Sequence, residues 1–562
     1  MTELNFETAR FWPRGVPPDV RTPQTTLCAN LEIAARRYPD KPAYVVYGET
    51  ICYLQLLQEA ERVAGWLQLH GGVEPGDRVI VSGQSSARFV TAYHGILRAD
   101  AVVVPVNPMN LAAEFAHIAS DSGAKVAIVA QDLLPALLPL LGHGLNHIVA
   151  YGYSRDPSSL APDVPGWFAA PERPVANFNV TLLDDVLAAA LTPRPAMAAP
   201  EDLCLIAYTS GTTAYPKGVT HNHLSLMRGA ITPPIWYRDS AASVFLGASP
   251  MFHIQGLQSA INTPVYLGAT TVVLPRWDAQ RAANLLSRHA ITRWGASPAM
   301  VLDLLALGDS GTSSLRSVGR LTGGGAALPE AVVQRLREDI GIEYVEGYGM
   351  TETAAMVFAN PPERSKRQCI GIPTFGVSAL LADPVAMVPH PEAQIGAAGE
   401  LWVAGEQVTP FGYWGNDEAN RSSFVTLNGK RWLRTGDMVS RDEDGYFHLV
   451  DRLKRMINSA GYKVWPTEVE AVLYRHPEVR EACVIAAPDP RRGDRVRAVV
   501  VRTTGSRLTA EELVQWSRGE MAVYKCPSEV EFVDQLPRSG VGKIDWRRLQ
   551  EAAFSQATPS AS

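Results

Sequence analysis

The sequence predicts an α/β protein with a large N-terminal domain of β-sheets flanked by helices and a small α+β C-terminal domain. Continuous Val/Ile runs separated by helix-like stretches fill the first half, the pattern of parallel strands buried on both faces. The texture changes near residue 450, where short strands and helices alternate over about a hundred residues, a normal domain size. At 562 residues the chain is also too long for one core, so at least two domains are expected.

The elements follow in order. "DRVIVSG" (77–83) reads as a strand ending in a Gly turn, and "SARFVTAYHGILRA" (86–99) has helical spacing of apolar residues. "AVVVPVN" (101–107) and "AKVAIVA" (124–130) read as buried strands. The Pro-rich piece 154–174 reads as a surface loop, and "AAALTPRPAMAAP" (188–200) as a connector. The apolar stretch from Ala260 to Leu274, interrupted by Asn262, Pro264 and Gly268, reads as buried strand and loop. After residue 450 come a strand, a charged turn, a Gly-containing loop and a helix with Thr467 as N-cap and a first-turn proline. "EACVIAAPD" and "RVRAVVVRT" read as strands, "TAEELVQWSRGEM" as a helix and "SQATPSAS" as a disordered tail.

Composition excludes several classes. Hydrophobic content of 46% and charged content of 19% are those of an ordinary globular protein. A net charge of −6 gives no electrostatic case for nucleic acid binding. The six cysteines, at 28, 52, 204, 369, 483 and 526, form no Cys-x-x-Cys, so neither a zinc cage nor a disulfide framework is suggested and a reducing, cytoplasmic setting is expected. The acidic opening "MTELNFETARFWPRGV" lacks the apolar run of a secretory signal. No stretch reaches the ~20 apolar residues of a membrane span.

The stretch "YTSGTTAYPKGV" (208–219) carries the first chemical signal. Thr209, Ser210, Gly211, Thr212 and Thr213 offer hydroxyls and accessible amides, and Lys217 adds a positive charge, a set suited to phosphate. A Walker loop would need a second glycine directly before the lysine and Ser or Thr after it; here Pro216 precedes Lys217 and Gly218 follows it. A hydroxyl-rich turn alone is more often a plain surface turn. Further along stand "GGGAAL" (323–328), "EGYGMTE" (346–352), "RTGDMV" (434–439), "DRLKRMI" (451–457) and "LPRSGVGKI" (536–544). Alone, each has a bland reading: a flexible turn, a helix-capping acid, a turn aspartate, a solvated charge run, an exposed lysine.

Together and in this order, the segments resemble those of the adenylate-forming superfamily, which includes acyl-CoA synthetases, peptide-synthetase adenylation domains and firefly luciferase. The phosphate loop departs from the family pattern only at Ala214, where the family has glycine. The resemblance spans nearly the whole chain. It implies that Gly324, Gly325 and Ala326 form the adenosine and acyl turn, beside Glu346, Gly347 and Gly349. It implies that Tyr348 stacks on adenine, that Thr351 contacts the α-phosphate and that Glu352 helps place Mg²⁺. Asp437 would hold the ribose, Arg452 would contact the nucleotide, and Lys454 would be the pivot. Lys543 would reach the first active site, and His253 in "SPMFHIQGL" would line the acyl and thiol channels. His221 and His223 in "THNH" read as helix-start residues.

The implied reaction has two steps. A carboxylate attacks the α-phosphate of Mg·ATP to give acyl-AMP and pyrophosphate; the C-terminal domain then rotates, and the thiol of CoA takes the acyl group. The domains would be 1–450 for ATP and acyl binding, 451–455 as hinge and 456–562 carrying the catalytic lysine. Ser459, Gly461 and Tyr462 are candidates for the CoA channel, and the arginines of "APDPRRGDR" (487–495) could meet its phosphates or form a solvated loop. The uncharged run "TAAMVFAN" after Glu352 favours a medium- or long-chain fatty acid. An aromatic-acid CoA ligase and an acyl-AMP ligase that loads a carrier protein stay open as alternatives. Asn458 stands where luciferases carry a second functional lysine, and no Gly-x-Ser-x-Gly elbow is present. The partner is a small carboxylic acid, with no nucleic acid; a homodimer stays open beside the single chain.

Overall fold

The structure of the protein, a computed structural model, describes residues 11–160, 164–209, 216–324, 328, 330–390, 395–459, 462–489, 493–539 and 543–557. The Val/Ile runs form a seven-stranded sheet with the spatial order Val180–Leu182, His147–Tyr151, Val126–Ala130, Arg78–Ser82, Val102–Val106, Leu203–Thr209 and Lys217–Asn222. Its neighbours are parallel except the last pair, an antiparallel hairpin. Val102–Val106 and Val126–Ala130 are buried at every position, so neither shows polar alternation. Helix Ala87–Arg98 packs on this sheet; Ser86 starts it by accepting a hydrogen bond from the Phe89 amide at 3.2 Å.

A second, nine-stranded sheet is parallel through Pro42–Val46, Thr270–Val273, Val244–Gly247, Arg293–Ala296, Arg320–Gly323 and Tyr344–Met350. Antiparallel strands close both edges, Glu49–Cys52 on one and Ala355–Ala359 with Ile372–Pro373 on the other. Ligands of open parallel sheets bind beyond the carboxyl ends of the strands. Residues 249–257, 297–300, 324–328 and 351–352 all follow such ends. A five-stranded antiparallel sheet contains the long strand Lys430–Arg441 paired with Phe447–Arg452.

The smaller C-terminal domain is built on a sheet whose two longest strands are the edge strand Val479–Asp489 and its neighbour Gly493–Arg502. Alternation along them is clean. Val484, Ala486, Val496, Ala498 and Val500 pack toward Val469, Leu473 and Leu513. Cys483, Ile485, Ala487, Val499 and Val501 pack toward Leu536 and Ala553. No helix among the described residues is long and apolar enough to cross a membrane.

Four local expectations are corrected. Residues 257–267 are helical, first a π-helical segment Leu257–Asn262 and then Thr263–Leu267, before the strand Thr270–Val273. The uninterrupted burial of Leu257, Ala260, Ile261 and Val265 hid the helical period. The Pro-rich piece holds a short helix, Gly166–Ala169, that buries Phe168. Thr467 is not an N-cap: Trp465 occupies that position, and the Thr467 amide donates to Asp451 Oδ2 at 2.7 Å, so the cap comes from across the fold. The last helix, Trp546–Ala557, takes in the first residues of the expected tail.

His94 is fully buried on the helix Ala87–Arg98, and neither ring nitrogen has a hydrogen-bond partner. Burial pushes its pKa down to about 3. The unfolded chain binds a proton near 6.5 that the fold refuses, so stability is lost as pH falls below 6.5, by about 1.4 kcal/mol per pH unit for this one group. We expect His94→Leu to narrow the gap between thermal midpoints measured at about pH 7.5 and pH 5.0.

Candidate active site

The strands Leu203–Thr209 and Lys217–Asn222 pair with Thr209 opposite Lys217, so the phosphate-loop segment is the connection of a hairpin. Ser210, Gly211, Thr212 and Thr213, with Ala214, lie outside the described residues, as do Gly325, Ala326 and Gly461. Lys217 Nζ sits 5.6 Å from the Tyr413 ring centroid. Loop 409–414 braces the hairpin. Thr220 Oγ1 donates to Gly412 O at 2.6 Å, Thr409 Oγ1 donates to Thr220 O at 2.6 Å, and the Trp414 amide donates to Gly218 O at 2.8 Å.

Glycines bring the neighbouring segments into close contact. A Cβ on Gly349 would lie 1.5 Å from Ala355 O, and one on Gly324 2.8 Å from Gly347 O, so both positions need a bare backbone. Beyond Gly349, Thr351–Thr353 form a single 3-10 turn. Ala354 and Ala355 then adopt φ of 48° and 84°. Such conformations cost about 1–3 kcal/mol each for residues other than glycine and cluster at functional sites. Glu352 is buried; Tyr413 donates its hydroxyl to Oε1 at 2.8 Å, and burial raises the carboxyl pKa. Glu346 points elsewhere: its carboxylate accepts from the amides of Leu328 and Cys369, each at 3.3 Å, and burial pushes its pKa up to about 7. It ties Leu328 and Cys369 to the strand Tyr344–Met350.

Asp437 lies inside the strand Lys430–Arg441, directly after Gly436 at φ +70°, and is buried. Tyr348 donates to Asp437 Oδ2 at 2.5 Å, and Arg452 Nε lies 3.0 Å from Oδ1. The Asp437 carboxylate raises the Arg452 pKa; burial, then Asp437, raises that of Tyr348. Lys543 comes from the end of the chain to the same place. It keeps solvent contact, yet the protein packed around its amine lowers its pKa, with the Arg452 charge second and Asp437 opposing. Its charge also reaches His253, whose pKa falls to about 4, mainly through burial. His253 Nδ1 accepts from the Gln255 amide at 3.3 Å, so the ring is neutral and carries its hydrogen on Nε2.

The structure thus gathers Lys217, Tyr348, Thr351, Glu352, Asp437, Arg452, Lys454 and Lys543, with His253 beside them. Lys454 feels the charges of Lys217, Arg547 and Arg452, which with burial lower its pKa. Ser459 is buried at the end of the strand Ile457–Ser459, opposite Tyr462. Of the three arginines offered to CoA, Arg495 is engaged by Glu529 at 2.7 Å. Sequence reasoning missed Tyr413. Of the two histidines read as helix-start residues, His223 begins the helix His223–Tyr237, but His221 lies in the strand Lys217–Asn222, 0% exposed, with Nε2 2.7 Å from Thr351 O.

Comparison with known proteins decides the family. The model of the AMP-binding enzymes matches residues 31–414, and that of the AMP-binding enzyme C-terminal domain matches residues 468–543. The chain belongs to the AMP-binding enzyme family. Among the relatives of this AMP-binding enzyme, a long-chain-fatty-acid–CoA ligase of Bacillus subtilis is 30% identical, over 96% of this chain and 97% of its own. A feruloyl-CoA synthase of an Amycolatopsis species is 33% identical, over 91% and 95%. The crystal structure of ATP-bound MatB from Rhodopseudomonas palustris superposes with a TM-score of 0.82 at 27% identity, covering 95% of this chain and all of that one. The AMP-binding enzyme is an acyl-CoA synthetase, an ATP- and CoA-dependent ligase acting on a small-molecule acid.

Proposed function

We propose that the enzyme activates a medium- or long-chain fatty acid as its acyl-adenylate and transfers the acyl group to CoA, in the cytoplasm. The observation that carries the choice of acid is the lining after Glu352. Residues 353–360 carry no charge. Met356 lies against Gly347, its Sδ 3.7 Å from where a Cβ would stand, and Val357, Phe358 and Ala359 are fully buried behind it. Ala355 and Met356, the residues of this run that keep solvent contact, can cover an alkyl chain and offer nothing to a charged one.

In this reading residues 1–450 bind ATP and acid, 451–455 form the hinge and 456–562 carry Lys543. The hydroxyls of the 209–213 loop and Lys217 hold the phosphates, Tyr348 takes the adenine, and Asp437 with Arg452 takes the ribose. Thr351 donates a hydrogen bond to the α-phosphate as charge builds there, and Lys543 neutralises the charge between carboxylate and phosphate. His253, neutral, lines the acyl and thiol channels. Pyrophosphate leaves first; AMP leaves when the CoA thiolate attacks the acyl carbonyl beside Ser459, Gly461 and Tyr462.

Mg²⁺ fits Glu352. The carboxylate is buried, among the described residues its hydrogen-bonding side-chain neighbour is the Tyr413 hydroxyl rather than a basic group, and burial already disfavours its charge. Mg²⁺ is commonly held by one or two carboxylates plus substrate phosphates. Bound there, it would neutralise phosphate charge and favour departure of pyrophosphate.

The test is pyrophosphate release with ATP, Mg²⁺ and CoA across acids from acetate to palmitate, with benzoate and coumarate included. A maximum among alkyl acids of medium or long chain is expected. A maximum among aromatic acids would overturn the acid and keep the ligase. Acyl transfer to a carrier protein but not to CoA would overturn the acceptor.

A further inference from the structure

The turn bearing Thr351 and Glu352 ends in two alanines at positive φ, a backbone that alanine does not choose, so its surroundings must hold it. Two buried side chains from separate elements reach its carbonyls. His221 Nε2 lies 2.7 Å from Thr351 O, and Nδ1 lies 3.0 Å from Ser225 Oγ. A carbonyl only accepts, so Nε2 carries the hydrogen and Nδ1 of the neutral ring accepts from the serine hydroxyl. Gln258, 3% exposed, donates through Nε2 to Ala354 O at 3.3 Å and to Leu226 O at 3.1 Å. Its Oε1 accepts from Asn262 Nδ2 at 3.2 Å, and Asn262 Oδ1 accepts from the Tyr93 hydroxyl at 3.0 Å, so the amide orientation is fixed. Gln258 stands in the π-helical segment Leu257–Asn262, whose extra residue per turn is a recurrent means of re-aiming a side chain. A Cβ on Gly229 would lie 2.4 Å from Ala354 O and 2.6 Å from Gln258 Nε2, so the site is built for this approach.

We infer that His221 and Gln258 are positioning residues for adenylate formation: they pin the carbonyls of Thr351 and Ala354 and so aim the Thr351 hydroxyl and the Glu352 carboxylate. This rests on the roles given to Thr351 and Glu352 above. It separates the two half-reactions, because the α-phosphate is attacked only in the first.

The test measures ATP–pyrophosphate exchange, and separately thioester formation from supplied acyl-adenylate and CoA. His221→Leu is expected to lower kcat of exchange about 10- to 100-fold, the scale of losing a supporting partner at a catalytic centre. The KM for the acid and the thioester step should stay unchanged. His221→Gln, whose amide nitrogen can reach the place of Nε2, is expected to recover most of the loss. Gln258→Met should show the same split, and carries the test if His221→Leu does not fold. Equal loss in both half-reactions with a lower thermal midpoint would reduce the pair to a folding role and overturn the inference. So would His221→Leu and His221→Gln being equally impaired. An active Thr351→Ala would overturn the underlying reading and the inference with it. An inactive Thr351→Ala beside an unimpaired His221→Leu would overturn the inference alone.

Discussion

Lys543→Ala is expected to remove nearly all adenylate formation while leaving thioester formation from supplied acyl-adenylate largely intact. The environment of the amine explains the size of the effect. Protein packed around it and the neighbouring Arg452 both make its charge costly, and Asp437 alone among the named influences supports it. A cation held in that state gains most from incoming anions, here the substrate carboxylate and the α-phosphate. Removing one preorganised donor at a developing charge costs about 10²–10³ in rate, and a full positive charge in a crowded site is worth at least that. ATP–pyrophosphate exchange and single-turnover thioester formation measure the two steps independently. Equal loss in both would remove Lys543 from its assigned role and make it a structural lysine.

The fold class and the candidate segments could be found in the sequence because their signals are local. Val102–Val106 and Val126–Ala130 are each continuous apolar runs, and each candidate segment is a short string, with a glycine in those at 208–219, 323–328, 346–352, 434–439 and 536–544. What could not be read were the contacts that hold these strings in place. Tyr413 reaches Glu352 across 61 residues, and His221 reaches Thr351 across 130. The Thr409–Thr220 brace spans 189 residues. No periodicity or spacing rule carries such pairs. His221 in particular stands one residue before Asn222, the residue that caps the helix His223–Tyr237, so local reading assigned the histidine to the helix start. The helix at Pro466 shows the same limit: its sequence offered Thr467, and the fold supplied Asp451. The left-handed turn at Ala354 and Ala355 was invisible for a further reason. Alanine is the residue least expected there, so tertiary contacts overrode local preference.

Lys454→Pro is expected to impair thioester formation more than adenylate formation, by more than about tenfold, or ~1.4 kcal/mol in barrier. The reason lies in what is anchored on either side. Arg452 is tied to Asp437 in the long strand of the antiparallel sheet. Arg455 is tied to Glu470 in the helix Pro466–Leu473 and donates to Val484 O at 3.2 Å. Leu453 and Lys454 lie between these two residues, in the short 3-10 turn Leu453–Arg455. Proline at 454 would lock φ near −65° and push Leu453 out of the helical region, removing the freedom a pivot needs. The conformation in hand places Lys543 beside Asp437 and Arg452, the arrangement suited to the first step. A chain locked near it should still exchange pyrophosphate and fail to present Ser459 and its loop for the second. Lys454→Ala, which leaves φ free, should keep both steps and so separates backbone rotation from side-chain charge. Loss of the thioester step in Lys454→Ala as well would place the effect in the lysine's charge rather than in a hinge, and an undiminished second step in Lys454→Pro would move the pivot elsewhere in 451–455.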